Sequence, residues 1–380
     1  MAITHKAPSN VIAFAGGEAN LGVYEAFADY WNQYQAEMLG KKGLFYHQTR
    51  NVDGKTVAFS LGEKEQMINQ ALKKEILRKA GINNISDFPL ETWAGHPVLN
   101  WAAFAVVTSM IDMILPQTLI ETIGLYTEVK TIGWGDSAAF DVKPRDLFVV
   151  SKVGRAKRQT ELKKQYNGQV VLNPEPRQLA VTVSLYRVLS GQDSLADFTM
   201  KAVRSIETQM TYDAYDAFAT AMNAVDNTAS TGLRVAGYSQ AEFVRLSQTV
   251  SAWNGGVKPI AIGTMAALSN ILPADANFRY DLESDYVKLG YIRNFQNTDV
   301  MVLPQLAQYN TPFSLKLADN RIWLITPSTN KIVKAVIEGS TLAYTDGVYA
   351  NSNLSQNANI QKSWAVGIAT NSVAGTIELS

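Results

Sequence analysis

Residues 140–188 form one long excursion in which alternating stretches flank a basic run, and this limits the folds open to the chain. Leu147, Val149 and Ser151 alternate with Phe148, Val150 and Lys152. On the return, Leu179, Val181, Val183 and Leu185 alternate with Ala180, Thr182, Ser184 and Tyr186. Between the two stretches lie Lys152, Arg155, Lys157, Arg158, Lys163, Lys164 and Tyr166, and within this run, 152–166, Glu161 is the lone acid. Gly154, Gly168, Pro174 and Pro176 punctuate the run. Two paired strands of about ten residues, at about 3.3 Å each, make an arm of roughly 35 Å. A two-stranded ribbon is barely stable alone in water, so it needs another surface, and a neighbouring subunit is the obvious one.

A long helix follows. Ser194 opens a capping-box pattern with Asp197, and the helical period runs to about residue 225, roughly 48 Å at about 1.5 Å per residue. Val203, Ile206, Met210, Ala214, Ala217, Ala221 and Val225 share one face. Asp197, Lys201, Arg204, Thr208 and Thr211 are expected on the other, with Asp197 and Lys201 paired four residues apart.

Upstream, residues 21–39 and 63–80 read as helices stopped by Gly40 and Gly81, with Ile68, Leu72 and Ile76 on one stripe of the second. Asp53-Gly54 reads as a hairpin turn. Residues 101–115, the longest apolar stretch, are short for a bilayer span and include Asp112. They are expected as a buried helix ended by Pro116, with a short helix resuming over 117–123. Downstream, helices at 239–253 and 265–271 alternate with strands at 257–262, 300–303, 321–325 and 331–337, which reads as an α/β unit. Strands at 362–368 and 375–379 close the chain, with Trp364, Val366 and Ile368 expected to point inward. No internal repeat stands out.

Hydrophobic residues make up 47% of the 380, enough for two or three packed units. Lysine plus arginine equals aspartate plus glutamate, 34 of each, whereas a dedicated nucleic-acid binder is usually clearly basic. For a subunit repeated many times, neutrality avoids summed self-repulsion. The absence of cysteine removes disulfides, thiolate metal sites and cysteine nucleophiles, and suits a reducing cytoplasm. No apolar signal core follows Lys6.

The chemical motifs have structural readings. Gly54-Lys55-Thr56 has the ending of a phosphate loop, but Thr49 stands where that loop requires glycine. Residues 237–241 are one residue away from a nucleophile elbow. Ser239 and Glu242 instead form a capping pair, and His5, His47 and His96 all precede the serine, the wrong order for such hydrolases. None of these histidines has a partner at metal-ligand spacing. No catalytic, cofactor or metal site is assigned, and the chain is read as a non-enzyme.

The order of elements, helix 117–123, long basic hairpin, strut helix, α/β unit and short closing strands, resembles the major capsid proteins of tailed bacteriophages, the Hong Kong 97-like fold. The resemblance covers residues 115–380 and lies in order and spacing, not in a short motif. It implies an α+β fold with an N-terminal arm and helical region (1–126), an extended β-hairpin loop (127–190), a peripheral domain with the spine helix (191–236), an axial α/β domain (237–335), and peripheral closing strands (336–380). Trp364-Ala365-Val366-Gly367-Ile368 would be the strand returning to the peripheral domain. Where the family's simplest members have a thin arm, the first hundred residues hold several helices, read as an enlarged arm kept in the mature subunit.

On this resemblance the function is that of a major capsid protein. It self-assembles through pentamers and hexamers into an icosahedral shell enclosing double-stranded DNA without sequence readout. The shell is built in the host cytoplasm and located in the virion, with scaffolding, portal and decoration proteins as possible partners and no membrane. Lys152, Arg155, Lys157, Arg158, Lys163, Lys164 and Tyr166 are the inter-subunit candidates. The basic run has three readings: a solvated tip, a dock on an acidic patch of the next subunit, and a nucleic-acid contact, the last ranked lowest because Tyr166 is its lone aromatic. A cellular nanocompartment shell on the same fold, or an enzyme with an unrecognised α/β site, are the alternatives.

Overall fold

The structure, a computed structural model, describes residues 7–38, 49–52, 55–82, 97–123, 126–142, 168–183, 187, 192–226, 232–272, 288–308, 311–326, 331–345, 356–369 and 372–379. Four helices come first: α1 (Ser9–Ala15), α2 (Gly22–Met38), α3 (Leu61–Ala80) and α4 (Pro97–Ile123). Between α2 and α3, strands β1 (Thr49–Val52) and β2 (Lys55–Ala58) pair antiparallel, with Val52 opposite Lys55 as a two-residue turn requires. Helix α3 starts at a reciprocal capping box. The Ser60 hydroxyl accepts the Glu63 N–H, and the Glu63 carboxylate accepts the Ser60 N–H at 3.0 Å. It stops at Gly81, whose φ of 75° is the left-handed value expected of a capping glycine.

Tyr24, Phe27 and Trp31 of α2, with Leu72 and Ile76 of α3, are fully buried in one core with Val203 and Met210 of the spine helix. Aromatics at helical spacing on α2 thus form a core face.

Pro116 fails to stop its helix, since α4 runs unbroken for 27 residues. A mid-helix proline costs one backbone hydrogen bond. Here the burial of the preceding turns, from Leu99 to Leu115, outweighs that loss. Helix α4 is also the one described helix long and apolar enough to cross a membrane by composition, and 78% of its apolar window is buried inside the protein.

A mixed five-stranded sheet lies against α4 and the spine helix α5 (Leu195–Asp226). Strands β12 (Val333–Glu338) and β13 (Leu342–Thr345) run along one side of the 13-residue β14 (Gln356–Ile368). Strand β3 (Thr127–Ile132) lies parallel to β12, and β6 (Glu175–Val183) pairs antiparallel with the other side of β14. The spine is capped by the Ser194 hydroxyl, which accepts the Asp197 N–H at 3.1 Å. Asn69 of α3 reinforces the cap by accepting the Ala196 N–H and donating to Ser194. Lys201 and Asp197 pair at 2.7 Å as expected. Thr211 does not face solvent: it is buried and donates to the Glu207 carbonyl.

The second sheet, in the order β7-β15-β11-β8-β10-β9, has its own core. It comprises β7 (Arg234–Ala236), β8 (Ile260–Gly263), β9 (Asn294–Phe295), β10 (Thr298–Val302), β11 (Arg321–Ile325) and β15 (Gly375–Glu378). Helices α6 (Gln240–Trp253) and α7 (Met265–Leu268) pack on it through Phe243, Leu246, Val250 and Leu268. Ser239 caps α6 by accepting the Glu242 N–H at 3.2 Å, the structural role expected for it.

Three boundaries shift. Strand β12 belongs to the five-stranded sheet and not to the α/β unit. Strand β15 pairs in the six-stranded sheet and not in the five-stranded one. Residues 127–132 and 175–183, expected in the extended loop, are body strands. Each shift follows from a pairing partner far away in sequence, which local alternation does not specify. Along β14, Trp364 is buried as expected, but Ile368 is exposed. An aromatic seam joins the two sheets. Phe218 of the spine stacks at 4.8 Å on Tyr126 and edge-on at 5.2 Å on Trp323 of β11. Burial pushes the Tyr126 phenol well above its usual pKa.

Candidate assembly arm and its root

Strands β4 (Ala138–Val142) and β5 (Gly168–Leu172) form a separate antiparallel ribbon, with Val142 opposite Gly168. Of the expected pairing of 147–152 with 179–185, only the returning side lies among the described residues. The outgoing stretch lies outside the described residues, and the returning one pairs with β14. Lys152, Arg155, Lys157, Arg158, Lys163, Lys164 and Tyr166 also lie outside the described residues, within the 143–167 connection that the ribbon carries.

The ribbon's root is seated on the outer face of the five-stranded sheet. Phe140 is buried with Ala138 and Val336 in a small apolar cluster. Two ammonium groups approach its ring, Lys130 at 4.2 Å and Lys334 at 5.7 Å from the centroid. Lys334 is almost completely buried, and Glu128, its neighbour across the parallel β3–β12 pair, holds it at 2.6 Å. Such a buried ammonium is tolerated only with a close counter-charge. Lys130 donates to the Ala139 carbonyl at 2.9 Å, fastening β4 directly to β3.

Two glycines let the ribbon come close. A Cβ at Gly367 of β14 would lie 2.5 Å from a Leu172 methyl, and one at Gly339 would lie 3.1 Å from the Trp134 indole. Trp134, in the β3–β4 turn, donates to Ser340 at 3.2 Å, and Gly135 donates to Glu338 at 2.8 Å. Contacts on both strands and on the turn thus fix where the ribbon starts.

Behind this surface is a buried polar junction. Five residues from Ile337 to Leu342 advance against three from Trp364 to Gln361, so two extra residues form a bulge between β12 and β13. A bulge leaves backbone groups unpaired, and Asp112 of α4 fills the gap. Its carboxylate accepts the Thr341 N–H at 2.9 Å, the Thr341 hydroxyl at 2.6 Å and the Lys362 ammonium at 2.7 Å. Asn10 of α1 donates to its second oxygen at 2.9 Å, and Lys362 also donates to the Gly339 carbonyl. Sequence reading singled out Asp112 as a charge in an apolar run but not its partner 250 residues away. The Lys130, Glu128 and Lys334 set had no sequence signal, because strand pairing alone brings it together.

Among the described residues no group of three or more metal-capable side chains converges. His5, His47, His96 and Gly54 lie outside the described residues; Lys55 and Thr56 are in β2.

A family described as "SPbeta prophage-derived putative capsid protein YonB" matches residues 49–378. This match takes in α3 and the part of α4 before residue 115, which the resemblance drawn from element order had left aside. Among solved structures, the chain is similar to the capsid subunit of an empty GTA particle at 10% identity and TM-score 0.46, covering 68% of this chain and 96% of that one. It is similar to the mature capsid of bacteriophage PhiM1 at 8% and 0.45, covering 67% and 86%, and to Mycobacterium phage Bobi at 12% and 0.42, covering 69% and 90%. No curated protein matches the chain. The class of protein is a phage capsid protein, a structural subunit of the virion. Within that class the chain belongs to the YonB family of prophage-derived capsid proteins.

Proposed function

We propose that this chain is the major capsid subunit of a tailed phage with a Hong Kong 97-like arrangement, and that it closes through pentamers and hexamers into an icosahedral shell around double-stranded DNA. The observation that carries this reading is the seated ribbon. Phe140, Leu172 and Trp134 hold its first residues against the body, and a 25-residue basic stretch, 143–167, joins its two strands in sequence. The basic run 152–166 within it is read as the contact with the next subunit.

The six-stranded sheet with α6 and α7 acts as the axial domain around the local axis, and the five-stranded sheet with the spine as the peripheral domain. Heterologous contacts of this kind form rings and closed shells, and several weak interfaces act together on each copy. The zero formal charge fits DNA retained by confinement without sequence readout. The role is structural and non-enzymatic. Assembly takes place in the host cytoplasm, with scaffolding, portal and decoration proteins as its partners.

Size-exclusion chromatography with negative-stain microscopy of the purified full chain tests this, alone and co-expressed with scaffolding and portal proteins of the same phage. Capsomers or closed shells are expected. A monomer under both conditions contradicts the reading.

A further inference from the structure

Strand β15 lies between β7 and β11, so the six-stranded sheet is complete only when this late segment of the chain docks. Its entry is held by one side chain. Asn254, buried at the end of α6, donates through Nδ2 to the Val373 carbonyl at 2.7 Å and accepts the Val373 N–H through Oδ1 at 3.0 Å. The same amide donates to the Val250 carbonyl at 2.7 Å. This two-way bond ties the helix end to the start of β15 across 119 residues. Further along, Gly375 lets the strand lie close on α6, since a Cβ there would come 2.7 Å from a Leu246 methyl.

Beside this lock is a chemical weak point. Gly255 follows Asn254, and glycine's missing Cβ leaves its backbone nitrogen unhindered. In an Asn-Gly pair that nitrogen can attack the side-chain Cγ: the N–Cγ bond forms, the Cγ–Nδ2 bond breaks and ammonia leaves. Water then opens the five-membered succinimide at either carbonyl, giving aspartate or isoaspartate. The fold blocks the first step. A ψ of 22° at Asn254 turns the Gly255 nitrogen away from the side chain, and that nitrogen donates to the Ala252 carbonyl at 3.2 Å. The amide itself is fixed by residues 250 and 373.

We propose that Asn254-Gly255 is a latent deamidation site, held shut by docked β15 and opened when that strand is displaced. The product carries a carboxylate facing the Val250 and Val373 carbonyls, so acceptor meets acceptor where the amide had donated, and the strand cannot redock in its native register. A subunit left open is marked irreversibly, whereas a closed one is protected. The inference does not depend on the shell-forming reading.

Peptide mass spectrometry of the full chain, kept in mildly alkaline buffer with and without urea, reads conversion site by site. In urea, Asn254 and Asn167, which also precedes a glycine, are expected to convert at similar rates. In the native protein Asn254 is expected to convert about a hundredfold or more slowly. Ile377→Ala, which thins the core under β15, is expected to raise that native rate about tenfold or more, and Phe140→Ala, in the other sheet's ribbon seat, to leave it unchanged. N254D is expected to melt below N254A, because it adds repulsion to the lost bonds; should either fail to fold, the I377A rate decides. Native Asn254 converting at the urea rate, a native rate unmoved by I377A, or Asn254 intact in urea while Asn167 converts overturns the proposal. So does N254D melting at or above N254A.

Discussion

The six-stranded sheet ends on strands of three and two residues and keeps its ion pairs at the surface, whereas the five-stranded sheet ends on a nine-residue strand and buries charge inside. In the first, Arg234 with Glu378 and Lys258 with Asp299 close the rim in partial contact with water. In the second, Lys334 and Lys362 are buried against Glu128 and Asp112, beside a bulge and under a seated ribbon. The difference teaches how labour is divided along one chain. One sheet tapers to short strands with exposed ion pairs, and the other is specified by buried charge and, among the described residues, ends on a long strand.

Substitutions that attack the buried charges should have the largest effect. Asp112→Ala leaves Lys362 and the Thr341 N–H without their acceptor, and a loss of about 3–5 kcal/mol is expected in chemical denaturation. The double variant D112L/K362M should recover only part of this, because the bulge N–H stays unsatisfied. Full recovery would reduce the junction to a simple ion pair.

Next in size is the ribbon's seat. Phe140→Ala should cost about 3 kcal/mol of local stability. The ribbon should become sensitive to limited proteolysis near residue 140, while the six-stranded sheet keeps its melting. Equal loss in both sheets would blur the contrast between them.

A smaller effect of opposite sign is expected at Phe313, fully exposed and held at φ 56°. Phe313→Gly removes the side-chain clash of that left-handed backbone and should raise the melting stability by up to about 1 kcal/mol.

The smallest effect concerns pH. Hydrogen bonds from Arg234 hold the Glu378 carboxyl below its usual range, and those from Lys258 and Asn294 do the same for Asp299. A depressed folded pKa gives stability that is present above the unfolded value, about 4, and is lost as pH falls through the folded one. The pairs are largely exposed, so the change is at most about 1 kcal/mol. Thermal melting of E378Q should therefore fall slightly under wild type at neutral pH, with the gap closing as acid protonates Glu378 in the folded state.

Much of the fold was legible because its periodicities are local. The stripe Ile68, Leu72 and Ile76, the spine face from Val203 to Ala221, and the strand 321–325 lie where their spacing puts them. What failed is non-local. Residues 179–183 read correctly as a strand, but local alternation does not encode that β14 is a partner. Pro116 was weighed as a local stop, while the surrounding burial decides the helix. Asp112 was visible as an anomaly in an apolar run, yet its meaning depends on a bulge more than two hundred residues away. The seat around Phe140 comes from register between β3 and β12, and no motif announces it.

The most direct measurement is a deletion of residues 154–166 in the full chain, followed in parallel by thermal melting and by negative-stain counting of particles. The shortened chain is expected to melt within about 2 °C of wild type, because the seat and both sheets are untouched, and to form no shells. Shells at wild-type yield, or a collapse in melting temperature, would contradict the claim that this arm acts between subunits and not within one.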